Sequence, residues 1–591
     1  MTRLTTLALI LGLGSTALAQ SLSRALPEES ILALGTEDLA SVWDELADFR
    51  DEFDRLGVRD ALVSAFSSSN DSADDTNGMN GDGDMAELPD LEAFFEETGL
   101  EPIDVLGQEA WISVSASSFS PLPAVTLLAR LRPEAVATVE GLLAEANAGQ
   151  EVTALSEGDY DFFVLQLEDP DSPVQTLAYG QADDLLYLSS NPDTLRGVLR
   201  RLGGADEPGF GSSPGYERVF GRLGTGNFYA YLDYSALAQI AQPFATGFGF
   251  DEAVRRLSQA LNTAGASGGV LRVTPQGLEN EGFQSADPDG GDITLYSLLT
   301  AGTLEPGAVT EATAFAPEGA LSYSSSYTDL QGWWTYLNDL SSSVPELGGD
   351  LNSLLESFTG IDLGESLFAW TGDHVVTITT GLVEAGEPGV PSENLLGDQV
   401  FMIATTDLEA AQAGLDELFE TAANTLAAFT DPMGEAQPES STEDIGGVSV
   451  TRYRISDGIS VAYAVTDGYA LIATSETAMD EVLEARASGA NLSTNEDVGA
   501  LLATVPEDVS SVSYSDSQAS MTATAGRLSS QLQMSAGLTG SADLDFEAIS
   551  QASATVQEYL LFIASRLGPS VGYSQRSPEG IYSSSLTPVR W

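Results

Sequence analysis

Residues 179–199 read YGQADDLLYLSSNPDTLRGVL, and residues 463–483 read YAVTDGYALIATSETAMDEVL. The two stretches run side by side without a gap at an offset of 284, the difference between 463 and 179. Each places an acidic turn between two apolar runs, Asp183-Asp184 in one and Asp467-Gly468 in the other. Asp-Gly between apolar runs marks a two-residue hairpin. The second run (185–188 and 469–472) is apolar at consecutive positions, which predicts a strand covered on both faces. A helix start follows. Ser190 or Asn191 can accept the first free N–H groups, Pro192 suits the first turn, and Asp193 suits the positive end of the dipole. Leu195, Val198, Leu199 and Leu202 then share a face, and Ser475, Glu476, Met479, Val482 and Leu483 repeat the arrangement. Core packing accounts for these residues without any chemistry.

Matching pieces flank both copies. Residues 25–34 (ALPEESILAL) and 315–323 (FAPEGALSY) each carry a Pro before an apolar strand. A helix over 37–53 presents Leu39, Val42, Trp43, Leu46 and Phe49, and its counterpart presents Leu330, Trp333, Trp334 and Leu337. The phrases TGLE (98–101) and TGID (359–362) precede strands at 109–114 and 374–378. Strands 125–131 and 400–405 lead into helices 133–144 and 408–419. Strands 158–167 and 447–455 come before the opening unit, and strands 228–232 and 512–514 after it. Hairpins 270–283 and 571–586 close the two series, turning at Pro275-Gln276-Gly277 and Pro578-Glu579-Gly580. The offset drifts from 261 (359 minus 98) to 303 (580 minus 277), as it does when loops change length and elements keep their order. The reading is an internal duplication. The expected fold class is α+β: two tandem homologous modules, each a largely antiparallel sheet packed with amphipathic helices. The first module spans 20–290, a connection 291–311, and the second module 312–591. Residues 67–85, SSSNDSADDTNGMNGDGDM, have no apolar period and are expected to form an acidic disordered loop.

A chain of 591 residues exceeds what one hydrophobic core fills. With 89 acidic residues against 22 basic ones, all of them Arg, the net charge is -67. Such a surface repels nucleic acid and anionic lipid and attracts inorganic cations. It also repels itself until salt screens it, which points to adaptation to a saline, halophilic setting. Residues 1–19 have the form of a secretory signal peptide: Arg3, an apolar core at 4–13, and Ala17-Leu18-Ala19 before Gln20. The mature chain is therefore expected in the periplasm or secreted to the medium. No later stretch reaches the roughly 20 apolar residues of a spanning helix, so no transmembrane segment is expected after cleavage. Absence of Cys excludes disulfides, thiol nucleophiles and a lipid-anchored Cys beside the cut.

Little remains for catalysis. His374 is the single histidine, placed at the start of a predicted strand where the first module has Glu109. A Ser-His-Asp hydrolase would need its base there, and zinc would need further His or Cys ligands. Asp82 and Asp84 alternate as in a calcium loop, but Met85 stands where Gly is required and Leu91 where the closing Glu belongs. Asp287, Asp289 and Asp292 form a second carboxylate cluster, and these five are the metal candidates. Gly221-Arg222-Leu223-Gly224-Thr225-Gly226 precedes a strand instead of opening a helix, so it reads as a turn and not a phosphate cradle. Arg200-Arg201 and Arg255-Arg256 fall on predicted helix ends, where they suit the dipole. No catalytic residue, cofactor-binding residue or cofactor emerges.

The Leu-Pro opening before a strand (ALPEESILAL, with FAPEGALSY as partner), the phrase DVLGQEAWISV at 104–114, and the turn-strand-capped-helix unit together resemble bacterial domain-of-unknown-function family 3352. The resemblance covers nearly all of the chain after residue 19 and rests on structural phrases. It implies an exported or envelope-associated protein of repeated α+β units and carries over no catalytic residue. The expectation is a non-catalytic binding or structural protein of the envelope or medium. The alternatives are a carrier of an apolar ligand and a carboxylate-only hydrolase of saccharides with aromatic flanks such as Trp333 or Trp370.

Overall fold

A computed structural model describes residues 19–61 except 38, 44, 59 and 60, then 108–116, 123–167 except 150, 175–238, and 251–343 except 306. It further describes 349–381, 397–430, 439–526 except 457 and 458, and 546–591. The acidic stretch 67–85 and most of the leader lie outside these residues.

Among the described residues, ten strands come from the first half of the chain. They are β1 (Ser30–Glu37), β2 (Glu109–Ser115), β3 (Ala124–Arg130), β4 (Val152–Glu157) and β5 (Tyr160–Gln166), then β6 (Thr176–Ala182), β7 (Leu185–Ser189), β8 (Phe228–Asp233), β9 (Ala266–Thr274) and β10 (Gly277–Ser285). The second half gives β11 (Ser322–Tyr327), β12 (Thr371–Gly381), β13 (Asp398–Thr405), β14 (Glu439–Ile445) and β15 (Val448–Ser456). It ends with β16 (Ile459–Thr466), β17 (Tyr469–Ala473), β18 (Ser511–Ser515), β19 (Ser570–Ser577) and β20 (Gly580–Pro588). The helices used below are α1 (Ala19–Ala25), α2 (Leu39–Trp43), α3 (Ala47–Leu56), α4 (Pro133–Gly149), α5 (Pro192–Leu202), α6 (Pro214–Leu223), α7 (Asp251–Ala264) and α8 (Ile293–Thr300). They continue with α9 (Leu330–Ser342), α10 (Leu408–Thr430), α11 (Glu476–Ser488), α12 (Glu496–Leu502) and α13 (Phe546–Arg566).

The fold is α+β, and among the described residues every strand pairing is antiparallel. In the first half the order across the sheet is β4-β5-β6-β7-β3-β2-β1-β8-β9-β10. β10 then pairs with β20, from Gly277 opposite Pro588 to Ser285 opposite Gly580. The sheet continues β20-β19-β18-β11-β12-β13-β17-β16-β15-β14. The twenty strands among the described residues thus form one hydrogen-bonded ladder, with β4 and β14 at its ends.

The hairpins form where the sequence places them. Asp183 and Asp467 are the non-glycine residues with positive φ among those described, at 52° and 49°, as the tight turn between twisted strands demands. Asn191 caps α5 by accepting from the N–H groups of Asp193 and Thr194, and Ser475 caps α11 from Ala478. Apolar clusters pack against both faces of the sheet. In the first half Trp111, Tyr229, Phe210, Leu195 and Leu22 fill one side, and Leu127, Val139, Tyr179 and Leu186 the other. In the second half Tyr323, Met402, Leu471, Met479 and Val482 fill one side, and Trp370, Leu415 and Tyr463 the other.

Several elements depart from expectation. Glu37 ends β1 instead of opening a helix: its N–H bonds to Asn227 O and it faces Glu109 across the ladder. The helix expected over 37–53 is divided into α2 and α3, and the connection 291–311 contains α8. β4 and β14 were not expected. VTALSE and ESSTEDI lack an apolar face because an edge strand needs only one partner and little cover.

The halves also interlock through helices. Phe49 and Phe53 of α3 meet Phe562 and Tyr559 of α13 edge-on, at 5.7 and 5.2 Å, and Trp591 closes on Phe49 at 6.0 Å. Across the seam, Leu295 and Leu298 of α8 pack with Tyr336 and Trp333 of α9 and with Ala260 of α7.

Candidate functional site

Among the described residues, chemically capable groups gather in two matched places and in a groove at the β10–β20 seam. The first place is a row across β1, β2 and β3. Strand alternation turns Glu37, Glu109 and Trp111 to one face, and register sets Glu37 opposite Glu109. Both carboxylates are buried, Glu109 with no exposed surface. Tyr229 from β8 donates its Oη–H to Glu37 Oε2 at 2.6 Å and accepts from the Gly226 N–H. Arg130 Nε lies 3.8 Å from Glu109 Oε2, while its Nη1 leans on Asp184 at 3.4 Å. Neither oxygen of Glu109 completes a hydrogen bond, nor do the neighbouring Trp111 Nε1 and Arg130 Nε. Burial pushes Glu109 up to about 8, with Glu37 adding to the shift and Arg130 opposing it. Burial raises Glu37 too, against the Tyr229 hydrogen bond.

The second place is the same strand junction in the other half. His374 faces Tyr327 across β11 and β12, as Glu109 faces Glu37. It is the fourth residue of its strand, not the first, and is buried with 7% exposure. Its Nε2 lies 2.8 Å from Ser325 Oγ and its Nδ1 2.9 Å from Tyr469 Oη. A serine beside an imidazole has the spacing of a nucleophile and base. Yet Ser325 is fully buried, the third member is a tyrosine, and Phe315 packs on that tyrosine at 6.0 Å. Burial holds the His374 ring below its ordinary value of 6.5, so it stays neutral and joins two hydroxyls.

The groove lies at the β10–β20 seam and has a volume of about 870 Å³. Arg218 and Arg222 enter it from α6, Phe283 from β10, Asp287 and Asp289 from the loop after β10, and Glu579 from the β19–β20 turn. Arg222 lies over the Phe283 ring at 5.3 Å and bonds Glu579 Oε2 at 2.8 Å. Arg218 reaches Asp287 Oδ2 at 3.4 Å. Both halves of the chain thus contribute to one open, charged concavity.

The metal candidates separate here. Asp82 and Asp84 lie outside the described residues. Asp287 pairs with Arg218 and accepts from the Asp289 N–H, whereas Asp292 caps α8 at Leu295 and accepts from Tyr336 Oη at 2.9 Å. Among the described residues no group of three or more His, Asp or Glu side chains could hold a metal ion. Gly221-Arg222-Leu223 closes α6, with Gly224 ending it, and the segment then enters β8. Arg201 Nε donates to Ala25 O at 2.8 Å from the end of α5, and Arg255-Arg256 lie inside α7 rather than at its end. Trp334 stacks on Phe368 at 4.5 Å, and Trp370 is buried beneath α10. Sequence reasoning passed over Glu37 and Glu109. Local pattern gave no signal for them, since Leu32 and Leu34 occupy the parity opposite Glu37, and Ser113 and Ser115 share that of Glu109.

No helix among the described residues is long and apolar enough to cross a membrane. No curated protein and no solved structure matches the chain. The family model described as protein of unknown function (DUF3352) matches residues 143–557, well over half of the chain. The chain belongs to that family.

Proposed function

We propose that this is an exported, non-catalytic protein of the cell envelope or the medium, built of two tandem copies of one α+β module. It binds or braces a partner through the groove between them. The observation that carries the reading is the placement of chemistry. Glu37, Glu109, Ser325 and His374 are sealed under packed elements, while the open concavity at the seam draws on both halves and its Asp287 and Glu579 carboxylates are engaged by Arg218 and Arg222.

Duplication is supported by the ladder itself. Read inward from either end, it has the same connections, with β11–β20 standing where β1–β10 stood. The offset of 303 carries Glu281 onto Ser584, and these two residues face each other at the middle of the β10–β20 pairing. That is the arrangement expected where a twofold axis passes between two copies. Export is supported by the leader-like residues 1–19, and a saline habitat by the net charge of -67.

The test is recovery of the protein from an exporting cell, followed by N-terminal sequencing and native mass spectrometry. The expected result is a chain lacking residues 1–19 that carries a bound partner lost in Arg222→Ala. A chain retaining its leader inside the cell would defeat the export reading. A bound species unaffected by Arg222→Ala would defeat the groove.

A further inference from the structure

The chamber around Glu109 is one positive charge short. Glu37 faces it from β1, Trp111 brings an indole N–H from its own strand, and Tyr216 of α6 lies close enough to feel both carboxylates. Arg130 of β3 supplies one guanidinium, shared with Asp184 nearer the surface. Helix α1 closes the chamber. Leu22 is fully buried and its amide faces Glu109, while Arg24 of the same helix is exposed. Two carboxylates against one shared cation leave a buried charge that must take up a proton or find a counter-ion.

Residues 17–20 offer one. Cutting the chain after Ala19 adds water across the Ala19–Gln20 peptide bond, leaving a carboxylate on Ala19 and an amine on Gln20 that is protonated at neutral pH. Gln20 belongs to α1, two residues before Leu22, about 3 Å along the helix axis. We propose that the α-ammonium of Gln20, created when the leader is removed, is the counter-ion of Glu109, so that processing completes the core of the first half. The inference rests on the export reading for the position of the cut. It extends that reading by making the cut a stabilising event.

The experiment uses chains of residues 20–591 released from a fusion, one starting at Gln20 and one carrying Gly-Ser before it, each with and without Glu109→Gln. Because N-terminal Gln can cyclise and lose its charge, intact mass is checked and the set is repeated with Gln20→Ala. At pH 7 the chain with the native end is expected to melt several degrees above the extended one, and Glu109→Gln is expected to erase the difference. In the extended chain Glu109 keeps its raised value, so stability present below the ordinary carboxylate range is lost as pH rises through about 8. The native-ended chain should show a flatter profile. Equal melting of the two chains, or a difference that survives Glu109→Gln, overturns the proposal. Should Glu109→Gln not fold, titration of the labelled terminal amine decides: a value raised above the ordinary α-amino range supports the pair, and an unshifted one overturns it. The recombinant end is fixed by design, so this outcome is independent of where the cell cuts, which N-terminal sequencing tests separately.

Discussion

His374 shows how burial turns a reactive side chain into a joint. With both ring nitrogens engaged by Ser325 and Tyr469, the neutral ring is the form the core accepts. Its folded value lies below 6.5, so the unfolded chain binds the extra proton and stability is lost as pH falls through that region. Melting curves from pH 7.5 to 5 should steepen in the wild type and flatten in His374→Gln; parallel curves would refute the assignment. Gly35 makes a second case. A Cβ at this position would overlap the Trp111 ring, so Gly35→Ala should cost about 1–3 kcal/mol by urea titration. Neither constraint could be read from the sequence, because Gly35 and Trp111 are 76 positions apart (111 minus 35) and meet only through β1–β2 register. Asp183 and Asp467 were legible, since a two-residue turn dictates its backbone locally.

At the scale of elements, short-range rules carried the hairpins and caps. Asn191→Ala should lower stability by about 1 kcal/mol in chemical denaturation, because the Asp193 and Thr194 N–H groups lose their acceptor. The rules gave out at the sheet ends. β14, ESSTEDI, is exposed along nearly its whole length and has one partner, β15, among the described residues. Its carboxylates at Glu439, Glu443 and Asp444 discourage another strand from adding there. Replacing all three with Thr should therefore bring time-dependent light scattering at neutral pH, with no early loss of circular dichroism. Unchanged scattering would mean that the edge is guarded by something else. The buried row at Glu109 was illegible for a related reason. A Glu on an apolar strand looks like an ordinary outward residue until the register of three strands is known.

For the whole molecule, charge and connectivity dominate. A net charge of -67 stores repulsion that the fold must overcome, so the melting temperature should climb between dilute buffer and molar salt. An unchanged value would show that the carboxylates are spaced widely enough to ignore one another. The α+β class and the antiparallel ladder were within reach of sequence reasoning, because hairpins leave little choice of direction. What no local pattern indicated is that β10 would find β20.

That pairing fixes an order of events. The strand at the middle of the ladder is made of residues 580–588, synthesised 295 residues (580 minus 285) after the end of its partner β10. Strands β1–β10 can assemble while synthesis continues, but β10 must wait with one side bare until residues 580–588 arrive. Trp591, whose indole N–H bonds Thr274 O at 2.8 Å, then fastens the tail to the earlier half. A chain stopped at residue 579 would be left as two separate sheets with sticky inner margins, so the arrival of this one strand sets the moment at which the two runs of the ladder join.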